Sequence, residues 1–400
     1  MIAIPRTTAI VYLLLAIPLV PHGFARADEP NQTAKSQLLL AHYMPWYRAK
    51  PFSQQWGWHW TMNHFDPEKQ TENKREIASK YYPLAGPYDS ADPDVIEYHL
   101  LLMKLAGIDG VIVDWYGLTD YRDFAALNHN TTQVLKQCER LNMKFVICYE
   151  DQTIPALVKA KRIAATDRVS HAAGEIDWLQ KYWFKSGAYV KLDGKPLLLS
   201  FGQAGLTDAE WTQCLNQTQG SVTYISQHHR RQSAQGAFDW PVPSDALAKW
   251  NQFYDDSRQW TQSIPVAFPR FVDIYAQAKV RESYGRLEDD GGVSFRRMLK
   301  RAAESGAAIA QIATWNDWGE GTQIEPCQEF GYRDLEIIQE FRRPKFGGAV
   351  KPTPSDLRLP IRILQQRQRA TRDTQLNSLD QIALLIANGD LPAARQKLEN

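Results

Sequence analysis

The sequence predicts an α/β fold of the (β/α)8 class, a TIM barrel, with a C-terminal helical appendage. Short apolar or β-branched segments alternate with helical patterns, which is typical of parallel strands joined by crossover helices. Eight candidate strands fall within about 280 residues, the strand number and size of such a barrel. A doubly wound sheet is the alternative, and it is disfavoured because no Gly-rich phosphate-binding turn follows the first strand.

The candidate strands are short apolar runs that recur along the chain. They are LLLAHYMPW from Leu38, GVIVDWY from Gly110, KFVICYED from Lys144, PLLLSFG from Pro196, VTYISQH from Val222, AFDW from Ala237, IPVAFPRF from Ile264 and AIAQIATW from Ala308. The candidate helices lie between them and are DPDVIEYHLLLMKLAG, TTQVLKQCERLN, EIDWLQKYWF, TDAEWTQCLNQ, SDALAKWNQFYDDSRQW and SFRRMLKRAAESG. The first of these has an acidic N-terminal turn, an apolar face and a stop at Gly107, which together define a helix.

The N-terminus has the pattern of a secretory signal peptide over residues 1–27. A basic start ending at Arg6 precedes an apolar run from Ala9 to Val20, and Ala25-Arg26-Ala27 supplies a small-residue cleavage site. No other stretch is apolar for long enough to span a bilayer. We therefore expect a secreted or periplasmic protein with no membrane span.

The barrel domain is predicted over residues 28–345, and a linker and helical tail over 346–400. A Pro- and Gly-rich stretch after Pro344 indicates the boundary. The tail shows helical patterns from Ile361 to Arg372 and from Leu376 to Ala387, and a short final helix follows the Asn388-Gly389 stop. This composition predicts a tail that is separable from the barrel.

Composition and charge indicate a neutral partner. The formal net charge is +1 and charged residues make up 23% of the chain, so there is no basic field for nucleic acid. The chain has 13 Trp, 17 Tyr and 15 Phe, and such rings stack well on the faces of sugars. We therefore expect an oligosaccharide or polysaccharide as partner, whereas the oligomeric state is left open.

Neither a metal nor another cofactor is predicted. His59, His64, His228 and His229 show no ligand spacing such as HExxH. The four cysteines, Cys138, Cys148, Cys214 and Cys327, match no metal or redox motif, and their pairing is left open.

The stretch WNDWGEGTQIEP, from Trp315 to Pro326, contains the candidate catalytic residues. It follows the apolar run AAIAQIAT, so Asp317 and Glu320 emerge where a buried strand ends. Carboxylates among aromatic residues and glycines are what a glycosidase site requires. The alternative is that Asp317 caps a turn and Glu320 faces water.

The C-terminal ends of the barrel strands share one face, so side chains there are expected to converge. These ends contain His42, Tyr43, Trp46, Tyr47, Asp114, Trp115, Tyr116, Tyr149, Glu150, Asp151, Gln227, His228, His229, Trp240, Arg270, Asn316, Asp317 and Glu320. The long loop after the first strand adds Trp56, Trp58 and Trp60, which alternate with Gly57 and His59. Alternation suits either a strand with one buried face or an aromatic wall for stacking.

Five motifs, in order, give the chain a family resemblance. YMPWY, GIDGVIVDWYG, FVICYED, YVKLDGKPLLLSFG and WNDWGEGTQIEP resemble glycoside hydrolase family 99 (endo-α-mannosidases and endo-α-mannanases), with features of the family 71-like α-glucanases. The resemblance covers about Leu38 to Phe341 and none of the tail. It implies hydrolysis of α-linked glycans at bonds inside a chain, with retention of the anomeric configuration.

The resemblance also implies roles for individual residues. Glu320 matches the general acid/base, and Asp317 the partner carboxylate that deprotonates the sugar's own 2-hydroxyl group. Glu150 matches a carboxylate that binds substrate hydroxyls. The predicted substrate-binding residues are Tyr43, Trp46, Tyr47, His59, Trp60, Trp115, Tyr116, Glu150, Tyr224, Asn316 and Trp318.

One position departs from the pattern, because family 99 has Glu where this chain has Asp317, and Asp is nearer to the family 71-like pattern. One methylene less shifts the carboxylate by about a bond length, which is enough to alter the reaction. Two rival functions stay open: a family 99-like role in surface-polysaccharide metabolism, and a non-catalytic carbohydrate-binding barrel.

Overall fold

The computed structural model describes residues 37–347 and 351–399, apart from the side chain of Lys345. In these ranges, eight strand positions form the barrel sheet: β1 (Leu38–Tyr43), β2 (Gly110–Trp115), β3 (Lys144–Glu150), β4 (Lys195–Phe201), β5 (Thr223–Gln227), β6 (Gly236–Phe238), β7 (Gln262–Ile264 and Val266–Ala267) and β8 (Ile309–Ile312). Strands β2 to β6 follow one another in chain order, and β1 lies between β2 and β8. Their runs of Leu, Ile and Val are buried, as expected for parallel strands covered by helices.

Strand β7 closes the barrel because its two segments pair with different neighbours. Gln262–Ile264 pairs in parallel with β6, whereas Val266–Ala267 pairs with β8. Pro265 separates the segments, and proline has no N–H with which to continue a ladder. The predicted (β/α)8 barrel is confirmed.

The helices pack outside this sheet: α1 (Pro93–Ala106), α2 (Phe124–Arg140), α3 (Arg168–Tyr182), α4 (Asp208–Gln217), α5 (Ala246–Ser257), α6 (Val293–Glu304) and α7 (Arg333–Arg342). Helix α1 begins at Asp92, whose side chain accepts a hydrogen bond from the backbone of Asp94, and it ends at Gly107 with φ 88°. The stop predicted at Gly107 is therefore confirmed. Residues 228–235, between β5 and β6, form a loop, so this crossover has no helix.

Shorter elements lie between these strands and helices along the chain. They are the helices Trp58–Thr61 and Thr153–Lys159, the 3-10 turns Ala165–Asp167, Pro243–Asp245, Asp290–Gly292, Arg343–Lys345 and Pro354–Arg358, and the strand Lys191–Leu192 beside β4. Two small hairpins pair Gln70–Thr71 with Lys74–Arg75 and Phe271–Val272 with Arg286–Leu287. The Trp-rich stretch after β1 is thus a short helix, not a strand.

The C-terminal tail forms α8 (Leu359–Arg369), α9 (Asp373–Ala387) and α10 (Leu391–Glu399). Helices α8 and α9 pack against α1, and residues 37–347 and 351–399 belong to one compact unit. Arg367 on α8 forms a two-pronged ion pair with Glu97 on α1 at 2.8 and 2.9 Å, and Glu97 is 2% exposed. The domain boundary at 345/346 stays a prediction, but these contacts lead us to expect that the barrel depends on the tail.

Replacement of Arg367 tests that dependence. Arg367→Met keeps most of the side-chain volume and leaves Glu97 buried with Arg140 as its remaining partner. Because an under-compensated buried charge is costly, we expect the free energy of unfolding in urea to fall by about 3 kcal/mol. Arg358→Met is the matched control, since the side chains of the Arg358–Glu336 pair are 44% and 35% exposed and such a pair contributes about 1 kcal/mol or less. Equal stability of the two variants would contradict the prediction.

Three predictions about the chain as a whole have different outcomes. Cys138, Cys148, Cys214 and Cys327 are all buried free thiols. Within the described ranges, no helix is both long and apolar enough to cross a bilayer. The predicted signal peptide, residues 1–27, lies outside the described residues and stays a prediction.

Candidate active site

The loop that follows β8 is tied to the end of β1 by hydrogen bonds. The backbone N–H of Trp315 donates to the carbonyl of His42 at 2.7 Å. The side chain of Asn316 accepts from the backbone N–H of Met44 at 2.8 Å and donates to the carbonyl of Met44 at 3.0 Å. Residues 315–320 therefore have one fixed position at the C-terminal end of the barrel.

Two buried tyrosines hold the same loop from behind. Tyr47 Oη donates to the carbonyl of Asn316 at 2.9 Å and accepts from the backbone N–H of Trp318 at 3.0 Å. Tyr88 Oη donates to Glu325 Oε2 at 2.8 Å and accepts from the side chains of Asn316 and Trp318. Each hydroxyl group thereby both donates and accepts hydrogen bonds, which favours a rigid loop.

A buried group of polar side chains lies next to these tyrosines. His99 Nε2 lies 3.1 Å from Glu325 Oε1, and His99 Nδ1 lies 3.0 Å from Tyr43 Oη. Both side chains of the His99–Glu325 pair are fully shielded from solvent. Tyr43, which was predicted to bind substrate, therefore belongs to the support of the loop.

A cavity of about 310 Å³ opens at the C-terminal ends of the strands. It is lined by His42, Met44, Trp46, Asp114, Tyr116, Arg122, Phe124, Glu150, Gln152, Thr153, Ala156, Phe201, Trp240, Tyr275, Asp317 and Glu320. The C-terminal end is where TIM-barrel enzymes place their active sites. Asp317 and Glu320 thus face one cavity together with two further carboxyl groups, those of Asp114 and Glu150.

Asp317 both lines the cavity and caps a turn. Its Oδ1 accepts the backbone N–H of Glu320 at 3.0 Å, and its own N–H donates to Thr314 Oγ1 at 2.8 Å. The Glu320 side chain is reached by Tyr275, whose Oη lies 3.4 Å from Glu320 Oε1. Asp317 can therefore both cap the turn and serve as a candidate catalytic carboxylate, the two roles considered from the sequence. The bond from the Glu320 N–H uses Oδ1 and leaves Oδ2 for the second role.

The surroundings shift the pKa values of all four carboxyl groups upward. Burial raises the pKa of Glu320 well above its usual range, and the charge of Asp317 adds to this. Burial raises the pKa of Asp317 to about 6, against the opposing effect of backbone N–H donors. Burial and then Asp317 raise the pKa of Asp114 to about 8, and burial and then Asp114 raise that of Glu150. One pocket therefore contains protonated and ionised carboxyl groups together, as acid and base catalysis requires.

Comparison with known proteins supports the resemblance to glycosyl hydrolase family 99. The model of glycosyl hydrolase family 99 matches residues 34–228. The mouse glycoprotein endo-alpha-1,2-mannosidase is 23% identical over 75% of this chain and 71% of that protein. The chain is a family 99-like glycoside hydrolase. A mouse glycoprotein endo-alpha-1,2-mannosidase-like protein is 33% identical over 26% of each chain.

Solved structures support the fold. The GH99 endo-alpha-mannosidase from Bacteroides thetaiotaomicron has a TM-score of 0.58 at 19% identity, covering 77% of this chain and 98% of that one. The family model ends within the loop after β5, before Asp317 and Glu320. The roles of these two residues in this family 99-like hydrolase therefore remain a prediction.

The structure brings only some of the predicted site residues into the cavity. Trp46, Tyr116 and Glu150 line it together with Asp317 and Glu320. Tyr47, Asn316 and Trp318 hold the loop that follows β8, as described above. Trp60 packs on Tyr47 with ring centres 4.2 Å apart and the rings tilted by 35°. Trp115 and Tyr224 are buried elsewhere: Trp115 donates to Asn128 Oδ1, and Tyr224 stacks on Trp211.

His59 lies in a second cavity that shares a wall with the first. Its ring stacks on Trp46 with centroids 4.2 Å apart, and Nε2 lies 3.6 Å from Asp123 Oδ2. This cavity of about 540 Å³ shares Trp46, Tyr116, Arg122 and Phe124 with the first and adds Arg48, Gln55, Trp56, Gly57, Trp58, His59 and Asp123. Trp58, which is 40% exposed, presents an aromatic ring at this second cavity.

Sequence reasoning missed several lining residues. His42, Asp114 and Trp240 were among the strand ends, but nothing distinguished them from their neighbours. Tyr275 follows the hairpin strand Phe271–Val272, where the sequence shows no strand or helix periodicity. Arg122 precedes α2 in a stretch that has no motif, so no sequence signal pointed to it.

One group of possible metal ligands occurs among the described residues. Ligand atoms of His42, Asp114 and Cys148 lie within 4.8 Å of one another, and all three are buried. Imidazole, carboxylate and thiolate are ligands of Zn²⁺. The four histidines considered from the sequence are not part of this group, and the expectation of a metal-independent enzyme stays a prediction.

Proposed function

We propose that this family 99-like hydrolase is exported, cleaves α-linked bonds inside a neutral glycan, and retains the anomeric configuration. The observation that carries the proposal is the carboxyl pair of Asp317 and Glu320, which share one cavity and have raised pKa values. The neighbouring cavity next to Trp46 supports action inside a chain, since it provides space for a further sugar. The endo-α-mannosidase names of the relatives make α-mannose linkages the first substrates to test.

The proposed reaction needs only the chain's own side chains. In an α-mannoside, whose 2-hydroxyl group lies trans to the departing oxygen, Asp317 removes the proton of that hydroxyl group. The 2-oxygen then attacks the anomeric carbon while Glu320 protonates the departing oxygen. The resulting 1,2-anhydro sugar is opened by water, whose proton goes to Glu320, and Asp317 returns its proton to the sugar oxygen. Both carboxyl groups end in their starting states.

Release of reducing sugar from α-glycans tests the proposal. The panel contains α-mannans with different linkages and an α-1,3-glucan, which the family 71-like motif suggests. We expect oligosaccharides as first products. NMR during the first minutes should show that the new reducing end is formed as the α-anomer, which is the retained configuration. A well-folded protein that binds these glycans and cleaves none of them would instead be a carbohydrate-binding barrel.

The pH dependence of kcat/KM is expected to be bell-shaped. The rate should rise as pH passes about 6, where Asp317 loses its proton and becomes a base. It should fall at higher pH as Glu320, whose pKa is also raised, loses the proton that it donates. The two limbs belong to the interacting pair and are measured with an unactivated α-glycan substrate. A profile whose maximum lies below the Asp317 value would contradict these assignments.

Export predicts cleavage after Ala27. N-terminal sequencing of protein recovered outside the cytoplasm should begin at Asp28, because small residues at Ala25 and Ala27 follow an apolar run. Ala27→Phe removes one small residue and should leave uncleaved precursor. A mature chain that still begins at Met1 would refute the proposal of export.

A further inference from the structure

Residues 272–275 lie directly against the loop that contains the candidate catalytic residues. The backbone N–H of Val272 donates to the carbonyl of Glu320 at 2.9 Å, and the backbone N–H of Ile274 donates to the carbonyl of Gly319 at 2.9 Å. Two main-chain hydrogen bonds therefore tie this segment to the backbone of the candidate acid/base itself. For this reason, the last residue of the segment has a fixed position relative to Glu320.

A glycine next to Glu320 makes this close approach possible. A Cβ atom at Gly321 would lie 2.7 Å from the carbonyl oxygen of Val272, and the φ angle of Gly321 is 66°. Any other residue at this position would displace the segment. On the other side of Glu320, a Cβ atom at Gly319 would lie 4.0 Å from Cε1 of Tyr275, so the ring of Tyr275 lies beside the catalytic loop.

A single carboxylate closes the loop to which Tyr275 belongs. Asp273 Oδ1 accepts the backbone N–H of Tyr275 at 3.2 Å, and Oδ2 accepts the backbone N–H of Tyr284 and the hydroxyl group of Ser283, each at 2.8 Å. Asp273 is buried, and the ring of Tyr284 meets that of Tyr275 edge-on with centroids 5.8 Å apart. These contacts restrict the Tyr275 side chain to one place at the edge of the cavity.

The hydroxyl group of Tyr275 faces Glu320 inside the active-site cavity. Tyr275 is half-buried and lines the cavity, and its Oη donates to Glu320 Oε1 at 3.4 Å. Hydrogen bonds of catalytic groups are often long in the free enzyme and shorten when substrate binds. Burial, and then the charges of Glu320 and Asp317, raise the pKa of Tyr275 well above its usual range, so the hydroxyl group keeps its proton and stays a donor.

We propose that Tyr275 is a positioning residue of the reaction, whose hydroxyl group binds Oε1 of Glu320 and thereby leaves Oε2 to carry the proton that passes to the departing oxygen. The inference rests on the proposed glycosidase function and adds a residue that acts through Glu320. Tyr275 keeps its own proton in both steps. Its hydrogen bond becomes stronger when Glu320 loses its proton, because an ionised acceptor binds a donor more tightly. The bond therefore stabilises the transition state more than the resting enzyme.

The charges around Glu320 determine what the loss of this bond does. Burial and then the charge of Asp317 raise the pKa of Glu320, the bond from Tyr275 lowers it, the charge of Asp273 raises it and that of Arg281 lowers it. The other titratable or charged residues that line the cavity are His42, Asp114, Tyr116, Arg122 and Glu150. Removal of the Tyr275 hydroxyl group leaves all of these in place, so the pKa of Glu320 should rise.

Tyr275→Phe tests the inference, because it removes the hydroxyl group and keeps the ring. For an unactivated α-glycan, kcat/KM should fall by about three- to tenfold, whereas an aryl glycoside with a good leaving group should lose less than about twofold. The high-pH limb of the profile with the unactivated substrate should move upward by about one pH unit, since Glu320 then holds its proton more tightly. A merely structural residue would change neither the limb nor the dependence on the leaving group.

A titration that does not depend on activity accompanies the kinetics. In protein labelled with ¹³C at glutamate carboxyl groups, the NMR signal of Glu320 is identified by its absence in Glu320→Gln. Its pKa should be higher in Tyr275→Phe than in the unmutated protein. Tyr182→Phe on α3 is the matched control, since that ring is 51% exposed, and it should change neither the kinetics nor the titration.

Three results would overturn the inference. They are an unchanged Glu320 titration and pH limb in Tyr275→Phe, an equal loss of kcat/KM with both kinds of substrate, and a loss of activity accompanied by a lower unfolding temperature. If the unmutated enzyme cleaves an α-glycan and loses that activity in Glu320→Gln, any of these results overturns the inference alone. If the unmutated enzyme cleaves no glycan of the panel, the proposed function fails, and the inference fails with it.

Discussion

Glu320→Gln is expected to lower turnover of an unactivated α-glycan by about 10² or more, while folding is preserved. The amide keeps nearly the same shape but has no proton to donate to the departing oxygen. It also cannot accept the proton of the attacking water in the second step. Because the backbone N–H of Glu320 makes the bond to Asp317 Oδ1, the substitution leaves the turn itself intact.

The leaving group distinguishes acid catalysis from a general loss of activity. An aryl glycoside with a good leaving group needs little protonation, so its first step should be slowed much less by Glu320→Gln. Glu304→Gln on α6 is the control, because that side chain is exposed and lies at the end of α6 that precedes β8, whereas the loop follows β8. Equal losses with both kinds of substrate, or a lower unfolding temperature, would argue against a role as acid/base.

The barrel was predictable because its signal is repeated. Apolar strands buried on both sides and amphipathic helices recur along the chain, and each repeat supports the same topology. The closing of the barrel at Pro265 was less accessible, since it depends on which neighbour each half of β7 reaches. The Trp-rich stretch shows the same limit, because alternation over a few residues fits a strand as well as the short helix Trp58–Thr61.

The site was only partly predictable because a strand end does not reveal which face a side chain occupies. Asp114 and Tyr116 line the cavity, whereas Trp115 between them points away and contacts Asn128. This alternation follows from the pleat of the strand, but its phase is set by pairing with neighbouring strands. The same uncertainty of phase applies to Tyr224, which was predicted to bind substrate. Its ring stacks on Trp211 of α4 and does not line the cavity.

The contacts of the tail helices could not be predicted from the linker pattern that precedes them. Its Pro- and Gly-rich composition indicates a change of direction, but does not reveal what the following helices contact. The pairing of Arg367 with Glu97, 270 residues apart, is a tertiary contact that no local pattern encodes.

Asp317→Asn is expected to lower activity by about 10² or more, whatever the leaving group. A carboxylate that activates the 2-hydroxyl group is required even when the departing oxygen needs no proton. The asparagine side chain retains an oxygen that can accept the backbone N–H of Glu320, so the turn should persist. Unfolding temperatures of the two proteins should therefore agree, and a loss of activity confined to unactivated substrates would contradict the role.

A 2-fluoro glycoside with an activated leaving group decides how Asp317 acts. If the 2-hydroxyl group is the nucleophile, replacing it by fluorine removes the attacking oxygen, and the unmutated enzyme should neither cleave the compound nor become labelled. If Asp317 instead attacks the anomeric carbon directly, the fluorine slows the second step and a glycosyl group stays on the protein. The side chain of Asp317 is one methylene shorter than that of the glutamate of family 99. The experiment therefore tests whether its carboxylate acts on the 2-hydroxyl group or on the anomeric carbon. Mass spectrometry of the intact protein and of its peptides should show no adduct, and an adduct on Asp317 would replace the 2-hydroxyl route with ordinary two-step retention.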